Sequence, residues 1–184
     1  MIAAFTGPGL VLWLTWYELP SLADKPANTL LFALIAIGIA AAVAVHKATH
    51  CRWIIFGGEG DREIAHVVAT GIGQVLAEQP VINLAGQTTL RELAAALKSC
   101  RLLLTNDTGP MHLAAAVGTP VVAVFGSTST EMTGPIFSAD AQIVRAPDIS
   151  CAPCFLRTCP IDFRCMRRIE SEVVVKAVLR LASS

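Results

Sequence analysis

The segment 105–112 has the residue types and spacing of a site for a phosphorylated ligand, with the sequence TNDTGPMH. It joins an apolar stretch, predicted to be a buried strand, to a predicted helix. Thr108 and Gly109 would place free backbone N–H groups at the start of that helix, where the helix dipole favours phosphate. Asp107 could accept hydrogen bonds from sugar hydroxyls, and His112 lies one turn further on. Taken alone, these residues are also typical of a turn with a helix cap, and a single helix histidine is commonly structural.

Short apolar runs alternate with amphipathic segments from residue 51 onwards. The predicted strands are 52–56, 81–84, 101–105, 121–125 and 143–145, and the predicted helices are 61–78, 89–98, 109–117 and 170–181. Thr88 or Thr89 is the expected N-cap of the second helix, with Glu92 in its first turn. Strands that are apolar throughout and separated by helices predict an α/β, Rossmann-like fold with a parallel sheet covered on both faces.

Ligands of such sheets bind at the carboxyl ends of the strands. The loops expected to form the site are therefore those that follow predicted strands, and each of them contains glycine: 57–61, 84–89, 105–109 and 126–135.

The overall charge excludes two classes of protein. The 184 residues carry 14 Lys and Arg against 14 Asp and Glu, so the formal net charge is zero. A nucleic-acid-binding protein that relies on bulk positive charge would show an excess of Lys and Arg. A disordered acidic or basic tail would show an excess of one sign. We therefore expect a globular domain with no nucleic-acid partner.

The first fifty residues differ from the rest, because 1–50 contains only four charged residues. The run 27–45 is uncharged and close to the length of about 20 residues that spans a bilayer. Lys47 and Arg52 follow it, which by the positive-inside rule would leave residues 51–184 in the cytoplasm. Three interpretations are open: native membrane helices, a helix buried inside a larger α/β protein, and the product of a truncated or fused reading frame. We expect an apolar helical segment at 1–50 and a separate domain at 51–184.

The region around segment 105–112 resembles the C-terminal domain of family 9 glycosyltransferases, the ADP-heptose:lipopolysaccharide heptosyltransferases and their relatives. The resemblance rests first on residues 105–117 followed by GTPVVAVFG at 118–126. The further matches are FGG at 56–58, NLAG at 83–86, GP at 134–135 and a Cys-rich stretch at 151–166 similar to that of heptosyltransferase II-like members. Together, in order, these motifs cover about residues 51–184.

This resemblance implies the C-terminal, donor-binding half of a GT-B fold, in which two Rossmann-like domains face each other across a cleft. Carried over to this sequence, Asp107 would contact the heptose of an ADP-heptose donor. The backbone of Thr108 and Gly109 would hold the pyrophosphate, and His112 would reach the phosphate or the sugar. The implied reaction is an inverting transfer of heptose to the lipopolysaccharide inner core, with ADP leaving. It needs no cofactor, and it implies a cytoplasmic enzyme or one attached to the cytoplasmic face of the inner membrane.

Two further donor contacts are implied in other loops: Glu59 would bind a ribose hydroxyl, and Thr88 would lie near the adenine. The family also has an N-terminal domain that binds the acceptor and supplies a general-base aspartate, and its C-terminal domain opens with a Lys-Trp-Pro segment. Residues 1–50 stand where these are expected, so we expect a donor half-site without the base or the lysine. Two other functions stay open: a non-catalytic, membrane-anchored nucleotide-sugar-binding module, and another GT-B enzyme such as a nucleotide-sugar epimerase.

Four of the six cysteines fall within one short stretch: Cys151, Cys154, Cys159 and Cys165. Four thiolates could close a tetrahedral structural zinc site, although only the first pair has the two-residue spacing that zinc sites favour. Cluster-type spacing is lacking, which disfavours an iron–sulfur cluster. Reduced thiols or two disulfides are the alternatives. Basic residues of the same stretch could face lipid A phosphates or anionic headgroups, or form an ordinary solvated surface: Arg157, Arg164, Arg167 and Arg168.

Overall fold

The computed structural model describes residues 9–13, 25–76, 81–136, 140–156 and 158–183, with side chains from residue 35 onwards. Its elements in chain order are β1 (Gly9–Trp13), α1 (Lys25–Thr49), β2 (Arg52–Phe56), a 3₁₀ turn (Glu59–Asp61), α2 (Arg62–Val75), β3 (Val81–Asn83), α3 (Leu90–Lys98), β4 (Leu102–Asn106), α4 (Gly109–Ala116), β5 (Val121–Phe125), α5 (Thr130–Thr133), β6 (Ala141–Arg145), α6 (Arg164–Arg167) and α7 (Ser171–Ala182).

Six parallel strands form one sheet in the order β3-β2-β1-β4-β5-β6. The chain builds outwards from β1 to β3 and then returns to the other side of β1 with β4, where Leu12 pairs with Leu104. Because all strands run the same way, their carboxyl ends meet at one edge of the sheet. A reversal of strand order opens a crevice at that edge, and α/β folds bind nucleotides in such crevices.

Helices cover both faces of the sheet, which explains why its strands are apolar throughout. Side chains along a strand point alternately to opposite faces. On β4, Leu102 and Leu104 are buried in the core formed with α1, α2 and α7, whereas Leu103 is buried in the core formed with α3 and α4. The parallel α/β sheet predicted from the sequence is therefore confirmed.

Helix α3 begins where its capping residues predict. The Thr89 hydroxyl accepts the N–H of Glu92 at 3.3 Å, and the Glu92 carboxylate accepts the N–H of Thr89 at 2.8 Å. This reciprocal pair is a capping box, and it selects Thr89 over Thr88 as the N-cap. Helix α2 is shorter than predicted and ends at Val75, because Leu76 adopts an extended conformation.

Elements from the first fifty residues lie inside the same sheet and core as the rest of the chain. Strand β1 pairs with β2 on one side and with β4 on the other. Helix α1 packs against α2 and α7. The sequence predicts a segment apart from the α/β domain, whereas the described part of 1–50 contributes the central strand of the sheet and a core helix.

Small side chains on α1 are the physical reason for this packing. Ala42 and Val45 are fully buried, and the indole N–H of Trp53 donates to the Ala42 carbonyl oxygen at 3.1 Å. On α2, Gly71 makes room for Ile39, since a Cβ at Gly71 would lie 2.5 Å from Ile39 Cδ1. Where its side chains are described, α1 thus packs one face against the core of the α/β domain and exposes the other face, at Ala36, Ala40 and Ala44. Within the described residues, no helix has the length and hydropathy needed to cross a bilayer.

Candidate functional site

The β4–α4 loop lies at the reversal of strand order. Thr108 is the N-cap of α4 and has an extended backbone, with φ −153° and ψ 167°. Its side chain is buried and its hydroxyl lies 3.3 Å from that of Thr105, so it does not cap the helix. Pro110 follows in the first turn, where its lack of an N–H costs nothing. Among the described residues, no atom lies within 4 Å of a Cβ built on Gly109, so the space above the helix start is open.

This arrangement is what a phosphate requires at Thr108 and Gly109. The N-terminus of a helix carries roughly half a positive charge, and an oxygen ligand can approach a glycine backbone closely. Because the Thr108 hydroxyl points back towards β4, it does not compete with a ligand for the first N–H groups. The role of Thr108 and Gly109 in binding stays a prediction.

The carboxylate of Asp107 accepts a hydrogen bond from α5, the helix that follows β5. The Thr133 hydroxyl, on α5, donates to Asp107 Oδ2 at 2.7 Å. The same hydroxyl lies 2.9 Å from the carbonyl oxygen of Ser129, one turn earlier. Asp107 is half-buried, and this contact joins the end of α5 to the β4–α4 loop at the carboxyl edge of the sheet.

His112 lies on α4, four residues after Thr108, and is half-buried. Residues four apart share a helix face, and helix side chains lean towards the N-terminus. The imidazole is therefore directed towards the Thr108 end of α4, and not into the core that Met111 and Ala114 occupy. A contact of His112 with a ligand at the helix start stays a prediction.

Glu59 and Thr88 lie in the loops that follow β2 and β3, at the same edge of the sheet. Glu59 Oε2 pairs with Arg62 Nη2 at 3.0 Å, and Arg62 Nη2 also donates to the Gly86 carbonyl oxygen at 2.9 Å. Gly86 has φ +67°, a left-handed conformation that favours glycine, and its N–H donates to the Gly57 carbonyl oxygen at 2.9 Å. These contacts join the two loops. A ribose contact by Glu59 would share its carboxylate with Arg62.

The predicted site residues thus fall into two groups separated by one strand. The loops after β2 and β3 carry Glu59 and Thr88. The β4–α4 loop and the first turn of α4 carry Asp107, Thr108, Gly109 and His112. Strand β1 lies between β2 and β4, so the loops after these two strands start two interstrand spacings apart, roughly 10 Å. An extended nucleotide can bridge that gap.

The cysteine-rich stretch packs against the β5–α5 loop. The backbone N–H groups of Cys154 and Phe155 both donate to the Ser127 carbonyl oxygen, at 2.9 and 2.8 Å. A Cβ on Gly126 would collide with the Met166 side chain, which shows how closely α6 approaches the end of β5. The stretch therefore borders the candidate site on its β5 side.

None of the four cysteines of this stretch forms a disulfide in the described structure. Burial raises the pKa of the Cys165 thiol, and the nearby thiolates of Cys159, Cys154 and Cys151 raise it further. Cys159 Sγ accepts the N–H of Phe163 at 3.3 Å. Over the described part of the chain, no group of three or more His, Cys, Asp or Glu side chains is arranged to hold a metal ion. Structural zinc stays a prediction.

Two site neighbours are missed by the sequence alone. Thr133 lies in a loop that the sequence marks as part of the site, but nothing in its spacing connects it to Asp107. Arg62 falls inside a predicted helix, and only the fold brings its guanidinium to Gly86. For Thr133, the sequence signal that could have indicated a site residue is a threonine directly before Gly-Pro in a predicted loop after a strand. For Arg62, the sequence carries no such signal.

Comparison with known proteins identifies related sequences and structures. The family profile described as Glycosyltransferase family 9 (heptosyltransferase) matches residues 40–163. Lipooligosaccharide heptosyltransferase 2 of Campylobacter jejuni is 33% identical over 147 residues, which are 78% of this chain and 45% of that protein.

Two solved structures share the fold. E. coli ADP-heptose lps heptosyltransferase II aligns with a TM-score of 0.69 and 21% identity, over 96% of this chain and 47% of that one. A family 9 glycosyl transferase from Veillonella parvula aligns with a TM-score of 0.66 and 25% identity, over 96% and 46%. The chain spans about half the length of the relatives it matches. Because the family profile matches more than half of its residues, the chain belongs to glycosyltransferase family 9.

Proposed function

We propose that this chain is the donor-binding half of a glycosyltransferase that transfers heptose from ADP-heptose to the lipopolysaccharide inner core. The observation that carries the proposal is the uncapped start of α4 beside Asp107, at the reversal of strand order. Family membership supports it, and so do the relatives that the chain matches, which are heptosyltransferases.

In this proposal each candidate residue has one role. The N–H groups at Thr108 and Gly109 bind the pyrophosphate, and His112 supplies a further donor to the phosphate or the sugar. These groups stabilise the negative charge that grows on ADP as it leaves. Asp107 accepts hydrogen bonds from heptose hydroxyls.

Contacts to the nucleoside come from the other pair of loops, with Glu59 at the ribose and Thr88 near the adenine. Inversion at the sugar also requires a base that takes the proton of the acceptor hydroxyl. That base is expected from the acceptor side of the cleft. The transfer itself requires no cofactor.

We also propose that the protein works in the cytoplasm, at the inner face of the membrane that carries its acceptor. Three apolar side chains are about half exposed, Phe155 at 48%, Leu156 at 50% and Ile161 at 57%. Arg167 and Arg168 are exposed in the same part of the chain. Exposed apolar groups and cations within one stretch of the chain suit an anionic lipid surface. Sedimentation with anionic vesicles should capture the chain, and Arg167→Glu with Arg168→Glu should abolish capture.

Titration calorimetry with ADP tests the donor site. In Gly109→Val the new side chain occupies the open space above the helix start, and we expect the Kd for ADP to rise at least about tenfold, the loss of one charge-assisted hydrogen bond or more. Gly73→Val is the control, because Gly73 lies near the C-terminal end of α2, away from the carboxyl edge of the sheet, and also has no neighbour within 4 Å of a built Cβ. Unchanged ADP affinity in a folded Gly109→Val variant would refute the site.

A further inference from the structure

We infer that Thr133 is a positioning residue for the donor sugar, which it orients through Asp107. This inference rests on the proposed function. Its basis is the 2.7 Å hydrogen bond from the Thr133 hydroxyl to Asp107 Oδ2, which joins the end of α5 to the β4–α4 loop across 26 residues of sequence. The predicted role of Asp107 is to accept hydroxyls of the heptose, so whatever fixes its carboxylate also fixes the sugar.

The geometry divides the carboxylate between two tasks. Oδ2 is occupied by Thr133, and Thr133 is the one side chain that donates to Asp107 in the part of the chain described. Oδ1 is left to accept from a ligand. Without Thr133, the carboxylate of Asp107 can rotate about its terminal bond, which has a broad preference. A sugar hydroxyl would then meet an acceptor with no fixed direction.

The hydroxyl of Thr133 has a second acceptor, the carbonyl oxygen of Ser129 at 2.9 Å. A hydroxyl has one proton to donate, and the ionised carboxylate is the stronger acceptor. The Ser129 contact is the ordinary backbone contact of a threonine four residues along a helix. It gives a purely local explanation of Thr133, in which the residue stabilises α5 and has no part in sugar binding.

The test compares two ligands and two variants of the full 184-residue chain. Thr133→Val removes the hydroxyl at nearly constant shape, and Thr133→Ser keeps it. We expect Thr133→Val to raise the Kd for ADP-heptose about tenfold, the usual effect of losing a hydrogen bond to a charged group, and to change the Kd for ADP by less than about twofold. The Kd of Thr133→Ser for each ligand should stay within about threefold of the Kd of the unchanged chain. In Asp107→Asn, adding Thr133→Val should weaken ADP-heptose binding much less than it does in the unchanged chain, because interacting residues are not additive.

Three results would overturn the inference. Thr133→Val could bind ADP-heptose as tightly as the unchanged chain, it could lose ADP by the same factor as ADP-heptose, or Thr133→Ser could lose as much as Thr133→Val. Failure of the proposed function is distinguishable from these results, because in that case the unchanged chain would bind neither ADP nor ADP-heptose.

Discussion

Replacing Ala42 with leucine tests whether α1 belongs to the core of the domain. Ala42 is fully buried, and its carbonyl oxygen accepts the indole N–H of Trp53 at 3.1 Å. Leucine adds three heavy atoms at a position with no exposed surface, and overpacking of this kind costs about 1–3 kcal/mol. For a domain of this size, 1 kcal/mol lowers the Tm by about 2–4 °C. We therefore expect the Tm of Ala42→Leu to fall by roughly 2–12 °C.

Ala44→Leu is the matched control, because Ala44 lies on the same helix and is exposed. Exposed substitutions of this kind usually change stability by less than about 0.5 kcal/mol. Thermal unfolding followed by circular dichroism measures both variants. A Tm for Ala42→Leu equal to that of Ala44→Leu would refute the packing of α1 against the sheet, and would reopen the membrane interpretation of the run at 27–45.

Three more predictions concern metal, activity and pH. If the four clustered cysteines hold structural zinc, the purified protein should contain about one zinc per chain, and a chelator should remove it with loss of local order; a metal-free protein with the same circular dichroism and exchange protection would contradict this. A polypeptide of these 184 residues should bind ADP but transfer heptose undetectably until an acceptor domain is supplied, because a general base raises the rate on the order of 10²–10⁴-fold. Turnover by the chain alone, assayed with ADP-heptose and heptose-deficient lipopolysaccharide, would show this prediction to be wrong. Hydrogen bonds from Thr89 lower the pKa of Glu92. The stabilisation by this cap is therefore complete above the ordinary carboxyl pKa and is lost as pH falls through the lowered pKa. Urea unfolding should show a lower free energy of unfolding for Glu92→Ala than for the unchanged chain at neutral pH, with a difference that shrinks in acid; a difference independent of pH would contradict the assignment.

Local patterns predict the parts of this fold that local chemistry determines. The strands at 52–56 and 121–125 are apolar runs that end at glycine, and the capping pair Thr89 and Glu92 marks the start of α3. Strand β1 is hidden because its five residues belong to a longer apolar run, in which periodicity alone does not separate strand from helix.

The site divides in the same way. The segment 105–112 shows its candidate ligand contacts in its own sequence, because strand, loop and helix start are contiguous there. The contact between Thr133 and Asp107, and the bridge from Arg62 to Gly86, join separate loops. They depend on the order of strands in the sheet, and no short window of sequence contains that information.

The central position of β1 has a consequence for how the protein is made. Its residues 10–12 pair with 102–104, about 90 positions later in the chain, and contacts so distant in sequence form slowly. On the ribosome, β1 and β2 are synthesised together, but the second edge of β1 stays open until β4 has left the exit tunnel. A nascent chain that stalls before residue 102 therefore presents an unpaired apolar strand edge, the feature from which aggregation begins.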